Sequence, residues 1–359
     1  MKILFVASIY PPDIGGPSSY VSNLVKELDI RGYITKVLIY RNFLPFKLLF
    51  YFFNTIRYGK KIDIIYAHGG LTTTLPSLLA AYFIRKKIGI KITGDYIWEQ
   101  LTNLKLIKDD IDVFQSKKYN VLITFLKFVQ SFVVKRADFI ITPSAYLKNI
   151  VIGWGANEEK INLIYNAINA GNFINKKEKN EAPIIISIGR LVSWKGFDYL
   201  IRAFSGLYHR FPESKLVIIG DGPLMSYLRN LAAKSSAKNS IIFTGALNKE
   251  KINDWYNKAD CFVLFSGYEG LSHVLLEALS FVLPVIASKK GGNVELVQNG
   301  INGVLIDWPD TIQLKKTLWS FLNKPDSFIS NPGLIDENRF SWGYMVDKTV
   351  LVFKKYENG

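Results

Sequence analysis

Short apolar runs alternate along the whole chain with longer segments in which apolar residues recur every three or four positions. Runs of four to six apolar or β-branched residues bounded by turn residues read as buried strands, and the segments of helical period read as amphipathic helices. In the first half this predicts strands at 3–8, 36–40, 62–67, 90–93, 139–143 and 162–165, with helices over 18–31, 73–87, 119–136 and 145–153. In the second half it predicts strands at 184–188, 215–219, 240–244, 261–265, 284–287 and 303–306. Helices are expected there over 196–210, 224–234, 249–257, 272–281 and 311–323. Such alternation means parallel sheets covered by helices on both faces, twice over. The polar run AGNFINKKEKNEA at 170–182 has no strand and reads as a linker. The expected division is a first domain over 1–168, a linker over 169–182, a second domain over 183–340, and a segment 341–359 that packs back on the first domain. Two doubly wound domains present a cleft at the carboxyl ends of their strands, where ligands meet backbone N–H groups and helix N-termini.

Composition narrows the class. At 359 residues with 49% hydrophobic and 21% charged, the chain has material for two cores and is not a disordered polymer. Cys261 is its only cysteine and falls inside an apolar strand, which excludes an intrachain disulfide and a cysteine-based zinc cage. Three histidines argue against a His-rich metal site. No run approaches the roughly 18 apolar residues of a membrane span. The start, MKILFVASIYPPDIGG, reads as a first strand, because Pro-Pro-Asp stands where a secretory cleavage site would be; the expected compartment is the cytoplasm.

Charge changes the picture further. The net charge is +15, and the 22 basic against 12 acidic residues up to Asn166 put +10 of it in the first half. That favours anionic partners: nucleic acid, acidic lipid or phosphorylated small molecules. No helix-turn-helix or RNP signature accompanies the charge, so nucleic acid is not expected. The segment 41–61 is aromatic and basic, with Phe43, Phe46, Lys47, Phe50, Phe52 and Phe53 followed by Arg57, Lys60 and Lys61. It reads either as a helix lying in a bilayer interface, with Phe46, Lys47 and Phe50 at the contact, or as a buried helix with a charged rim.

Candidate chemistry sits where strands give way to helices. In the first loop, Gly15 and Gly16 let the backbone approach a ligand beside a helix N-terminus, although the loop is neither a G-x-G-x-x-G nor a P-loop motif. Arg190 and Lys195 leave the first strand of the second half, and both suit phosphate oxygens. The Gly-Asp-Gly-Pro run at 220–223 reads as a structural turn. In FSGYEGLSHVLLEA, Glu269 falls at a loop tip and Glu277 on the following helix, with the N–H groups of Leu271, Ser272 and His273 at its start. His68, Asp95 and Asn166 each follow a strand. For every one of these a structural role, as turn, cap or satisfied polar group, is the alternative.

In combination, Gly15-Gly16, His68, Arg190 with Lys195-Gly196, the turn at 220–223 and the E-x7-E pair Glu269 and Glu277 resemble retaining glycosyltransferases of family 4, group 1 glycosyl transferases of GT-B fold. The resemblance implies two Rossmann-like domains facing each other across a cleft. The first would bind acceptor and the second a nucleotide-sugar donor. It implies that Arg190 and Lys195 hold the donor diphosphate, that Glu269 contacts the transferred sugar with amides of Leu271, Ser272 and His273 assisting, and that Glu277 accepts from the ribose hydroxyls. His68, Gly15 and Gly16 would border the sugar and diphosphate. Many members carry a histidine where this chain reads Gly94-Asp95, so Asp95 is expected to take a sugar contact. The implied reaction is metal-independent, needs no cofactor, and transfers sugar with retention to a saccharide or lipid-linked acceptor in cell-surface polysaccharide, lipopolysaccharide or glycolipid synthesis. With the basic first half this places the protein peripherally on the cytoplasmic face of an anionic membrane. The competing readings are a nucleotide-sugar epimerase of related fold and a non-catalytic, basic, membrane-associated binding protein.

Overall fold

The fold is given by a computed structural model that describes residues 1–13, 15–41, 44–168, 181–333, 335–336 and 338–357. Phe43 and positions 169–180 of the expected linker lie outside the described residues. The chain forms two compact units, Met1–Ala167 with Asn338–Gly359, and Ile168–Glu337.

The first unit is built on six parallel strands, β1 (Lys2–Ala7), β2 (Ile34–Ile39), β3 (Ile64–His68), β4 (Lys87–Lys91), β5 (Phe139–Thr142) and β6 (Ile161–Leu163). They lie in the order β2-β1-β3-β4-β5-β6. Its helices are α1 (Gly16–Ile30), α2 (Leu44–Gly59), α3 (Leu71–Phe83), α4 (Tyr96–Asn103), α5 (Ile111–Ser116), α6 (Val121–Arg136) and α7 (Ala145–Gly153). β1 is buried on both sides. Ile3, Phe5 and Ala7 meet Tyr20, Leu24 and Leu28 of α1, while Leu4 and Val6 face the layer of α2, α3 and α6 through Tyr51, Leu78 and Val133.

The second unit repeats the plan with β7 (Ile184–Ile188), β8 (Lys215–Ile219), β9 (Ile241–Gly245), β10 (Cys261–Leu264), β11 (Val285–Ser288) and β12 (Gly303–Ile306), in the order β12-β11-β10-β7-β8-β9. Its helices are α8 (Phe197–Ser205), α9 (Met225–Ala233), α10 (Lys249–Lys258), α11 (His273–Ser280) and α12 (Thr311–Asn323). Ile185, Ile218, Val263 and Ile286 of the sheet pack with Leu200, Phe204, Leu314 and Leu318 from α8 and α12. Cys261 is fully buried in this core, and burial pushes its thiol well above the ordinary range.

A last helix, α13 (Trp342–Glu357), lies on the α1 side of the first sheet, where Met345, Val346, Val350 and Phe353 complete the apolar layer. Compactness places Asn338 to Phe340 with this unit, ahead of the boundary expected at 341. The reason is local: the Arg339 guanidinium lies 3.8 Å from the centroid of the Tyr165 ring, and Phe340 meets the same ring edge-on at 5.5 Å.

The α/β, doubly wound architecture is the one expected, with differences at its edges. Helix α3 stops at Phe83 and not at 87, because Arg85 turns left-handed at φ 55 and β4 begins two residues later. That strand starts three residues ahead of the one expected at 90–93, its apolar run broken by Gly89, which leaves its inward position to the Phe139 ring of β5; a Cβ on Gly89 would stand 1.9 Å from it. Between 96 and 116, where no helix is expected, the chain forms α4 and α5.

Candidate active site

In a doubly wound sheet the crevice opens where neighbouring strands send their connections in opposite directions. In the second unit that point falls between β7 and β10. The segments leaving those two strands are the ones bearing Arg190 with Lys195, and Glu269 with Glu277.

The two segments meet. Lys195 Nζ donates to Glu269 Oε1 at 2.5 Å, and the same oxygen accepts from Ser266 Oγ at 2.8 Å. Glu269 is 7% exposed, and its Oε2 accepts no hydrogen bond among the described residues. Arg190 is exposed and forms no side-chain ion pair or hydrogen bond among them. Gly196, in the left-handed region at φ 61, closes the Lys195 turn against β10; a Cβ there would stand 2.2 Å from the Phe265 carbonyl oxygen. The turn at 220–223 braces the Arg190 loop, with Leu191 N–H donating to Asp221 O at 3.0 Å and Leu224 N–H to Leu191 O at 3.1 Å.

Ser272 caps α11 by accepting from Leu275 N–H, so Leu271, Ser272 and His273 stand at the helix start, with Glu277 one turn beyond His273. Both oxygens of Glu277 are engaged. Oε1 pairs with Lys249 Nζ at 2.5 Å, and Oε2 lies 3.1 Å from the hydroxyl of Tyr256, a fully buried residue of α10. Burial, and then the Glu277 charge, push the Tyr256 phenol well up, so it stays a donor. Sequence reasoning missed Lys249 and Tyr256, and it missed the floor under Glu269. There Gly292 N–H donates to Glu269 O at 2.9 Å, and Gly291, at φ 58, passes so close that a Cβ would stand 1.9 Å from that oxygen. The pair Gly291-Gly292 after a strand was the available signal.

In the first unit the corresponding point lies between β1 and β3. Gly15 and Gly16 begin α1 just beyond β1, Gly15 at φ 146, and His68 ends β3. His68 is 1% exposed, its ring stacked on Tyr20 at 5.3 Å between centroids, and it pairs in register with Lys91 at the end of β4. The Lys91 ammonium lies 3.7 Å from the centroid of the Tyr20 ring, buried and without a hydrogen-bond partner among the described residues; burial lowers its pKa to about 7.

Three expectations change here. Asp95, expected at a sugar, is a buried helix cap: Oδ1 accepts from Ile97 and Trp98 N–H at 3.1 Å each, and Oδ2 from Gln115 Nε2 at 2.9 Å. Burial pushes its carboxyl above the usual range, against the pull of those hydrogen bonds. Phe50 turns inward, its ring 4.8 Å from that of Tyr40, and Lys47 is half-buried, so of the three expected contacts only Phe46 stands out, 63% exposed. Arg41, grouped with them by sequence, instead holds the first loop through the carbonyls of Tyr10 and Pro11 at 2.9 and 2.8 Å.

Residues 169–331 match the sequence profile of the family described as glycosyl transferases group 1. The second unit is a group 1 glycosyltransferase domain. An uncharacterized glycosyltransferase of Methanocaldococcus jannaschii is 31% identical over 60% of this chain and 59% of its own length. Another from the same organism is 27% identical over 99% of this chain and 98% of its own. The matches to the first three curated relatives span 59%, 50% and 40% of their lengths, about half of each. Among solved structures, Anabaena HepE in complex with UDP-glucose covers 100% of both chains at 18% identity with a TM-score of 0.76. Over its whole length the chain thus has the GT-B fold of that protein.

Proposed function

We propose that the protein is a retaining, metal-independent glycosyltransferase that moves a sugar from a nucleotide-sugar donor to a saccharide or lipid-linked acceptor in cell-surface polysaccharide or glycolipid synthesis. The observation that carries this reading is the convergence of Lys195, Glu269 and the start of α11 at the switch point of a group 1 glycosyltransferase domain. The second unit would hold the donor and the first the acceptor, with His68 and the Gly15–Gly16 turn contributing from the first.

Lys195 spends one of its three N–H donors on Glu269 and keeps two for the diphosphate, which Arg190 grips from the exposed side. Glu269 keeps Oε2 for a hydroxyl of the transferred sugar. A carboxylate offers about four lone-pair sites, so Glu277 has room for ribose hydroxyls beside Tyr256. These cations and the amides at the start of α11 stabilise the charge that develops as the bond from the anomeric carbon to the phosphate oxygen breaks. The acceptor oxygen bonds to the same face of that carbon, and its proton passes to the departing phosphate oxygen. HepE, solved with UDP-glucose, supports the choice of donor class.

The test measures nucleoside diphosphate released from UDP-glucose, GDP-mannose and UDP-N-acetylglucosamine, with and without saccharide and lipid-linked acceptors, in EDTA. Release that depends on acceptor is expected, and Arg190→Ala or Lys195→Ala should lower turnover by roughly 10-fold to 100-fold, the worth of a charge-assisted hydrogen bond. Isomerised donor would make the protein an epimerase, and binding without turnover would make it a binding protein.

A further inference from the structure

Helices α2, α3 and α6 form one layer on one face of the first sheet, with α3 between the other two. Their inner sides bury Tyr51, Leu78, Ala81, Val133 and Val134. Their outer sides are also apolar. Phe46, Leu49 and Phe53 stand out from α2, Leu79, Tyr82 and Phe83 from α3, and Val121, Leu122, Phe125 and Phe128 from α6. Exposure runs from 44% at Leu79 to 87% at Val121. A surface helix of a soluble domain normally turns its polar side to water, and one turned inside out on three neighbours marks an interaction site.

Charge says what the face meets. Across Leu44–Gly59, Leu71–Phe83 and Val121–Arg136 there is no aspartate or glutamate. Basic residues collect where each helix runs down to its next strand: Arg57, Lys60 and Lys61 before β3, Arg85 and Lys86 before β4, and Lys135 and Arg136 before β5. All three helices run against the parallel strands, so these clusters share the N-terminal edge of the sheet, opposite the edge of Gly16 and His68.

We infer that the outer face of α2, α3 and α6 is a docking surface for an anionic lipid bilayer, its aromatic residues entering the headgroup boundary and its basic edge lying on acidic headgroups. The surface is three helices wide; of the three contacts expected from sequence, Phe46 lies on it and Phe50 faces away from it. A second copy of this chain is the poorer occupant, because it would press another acid-free, basic-edged face against this one. The inference rests on the proposed transfer to a lipid-linked acceptor and on the peripheral attachment expected from sequence, but its test does not pass through catalysis.

The full chain is sedimented with vesicles of phosphatidylcholine alone and of phosphatidylcholine with phosphatidylglycerol, at low and high salt. Binding is expected on the anionic vesicles only, weakening with salt. The double variant Phe125→Ser, Phe128→Ser and the double variant Lys135→Glu, Arg136→Glu should each lower the partition coefficient, the second by roughly fivefold or more per residue. All four side chains are exposed, so melting temperatures should stay at the wild-type value, which separates lost docking from lost folding. The inference is overturned if the wild type remains in the supernatant with both vesicles, or if the variants bind as it does. It is equally overturned if the chain is a dimer that Phe125→Ser, Phe128→Ser converts to monomer. Acceptor-dependent nucleotide release by the same variants reads the transferase proposal separately.

Discussion

Lys91 sets the clearest problem at the scale of single residues. An ammonium buried without a hydrogen bond costs stability unless it releases its proton, and the face of Tyr20 returns only part of that cost. Its folded pKa of about 7 lies below the unfolded value near 10.5. Between those values the unfolded chain binds more protons, so this residue makes stability rise with pH across that window; below it the full cost of a buried charge applies. Lys91→Met keeps the volume and removes the charge. Its melting temperature should exceed that of the wild type most at pH 6, and the gap should close towards pH 10. A variant less stable than the wild type at pH 6 would refute this. Tyr256 gives a second prediction. If its hydroxyl aims Glu277 at the ribose, Tyr256→Phe should weaken nucleoside diphosphate binding by roughly threefold to tenfold in calorimetry, the worth of one hydrogen bond, and unchanged affinity would remove it from that role.

Among the elements, α13 carries a prediction of its own. Its Phe353 ring stands 5.1 Å from Tyr66 and 5.8 Å from Phe139, and no other described helix fills that place. A chain ending at 337 should therefore yield, under limited proteolysis, a resistant fragment from the second unit and a first unit that is cut. Equal resistance of both units would show that α13 is dispensable. The strands were legible in sequence because residues such as Ile3 to Ala7 or Leu216 to Ile219 are buried on both faces and therefore apolar without interruption. The short helices α4 and α5 were not, since each is announced mainly by the aspartate that caps it. Asp95 and Asp110 both accept backbone N–H groups, yet an aspartate after a strand looks the same in sequence whether it caps a helix or meets a substrate. The donor site was half legible. Strand, loop and helix in succession mark out Arg190, Lys195, Glu269 and Glu277, but Lys249, Tyr256 and Gly291 reach the site only because α10 and the loop after β11 pack beside α11 and β10.

Over the whole molecule, the excess of +10 in the first half is not spread evenly over its surface: the three acid-free helices hold none of its twelve acidic residues. The first unit is also assembled from both ends of the chain, and the Met1 amino group lies 3.6 Å from Glu357 Oε1. This has a consequence in time. The 170 residues Ile168–Glu337 are all synthesised after β6 and before α13. At ribosomal speeds that interval lasts on the order of 10–30 s. Throughout it, Phe5, Tyr66 and Phe139 wait for Met345 and Phe353, and by its end the second unit has every residue of its own core. The unit whose sequence begins first is thus the one that finishes last, and during synthesis its open apolar layer is where a chaperone would find its client.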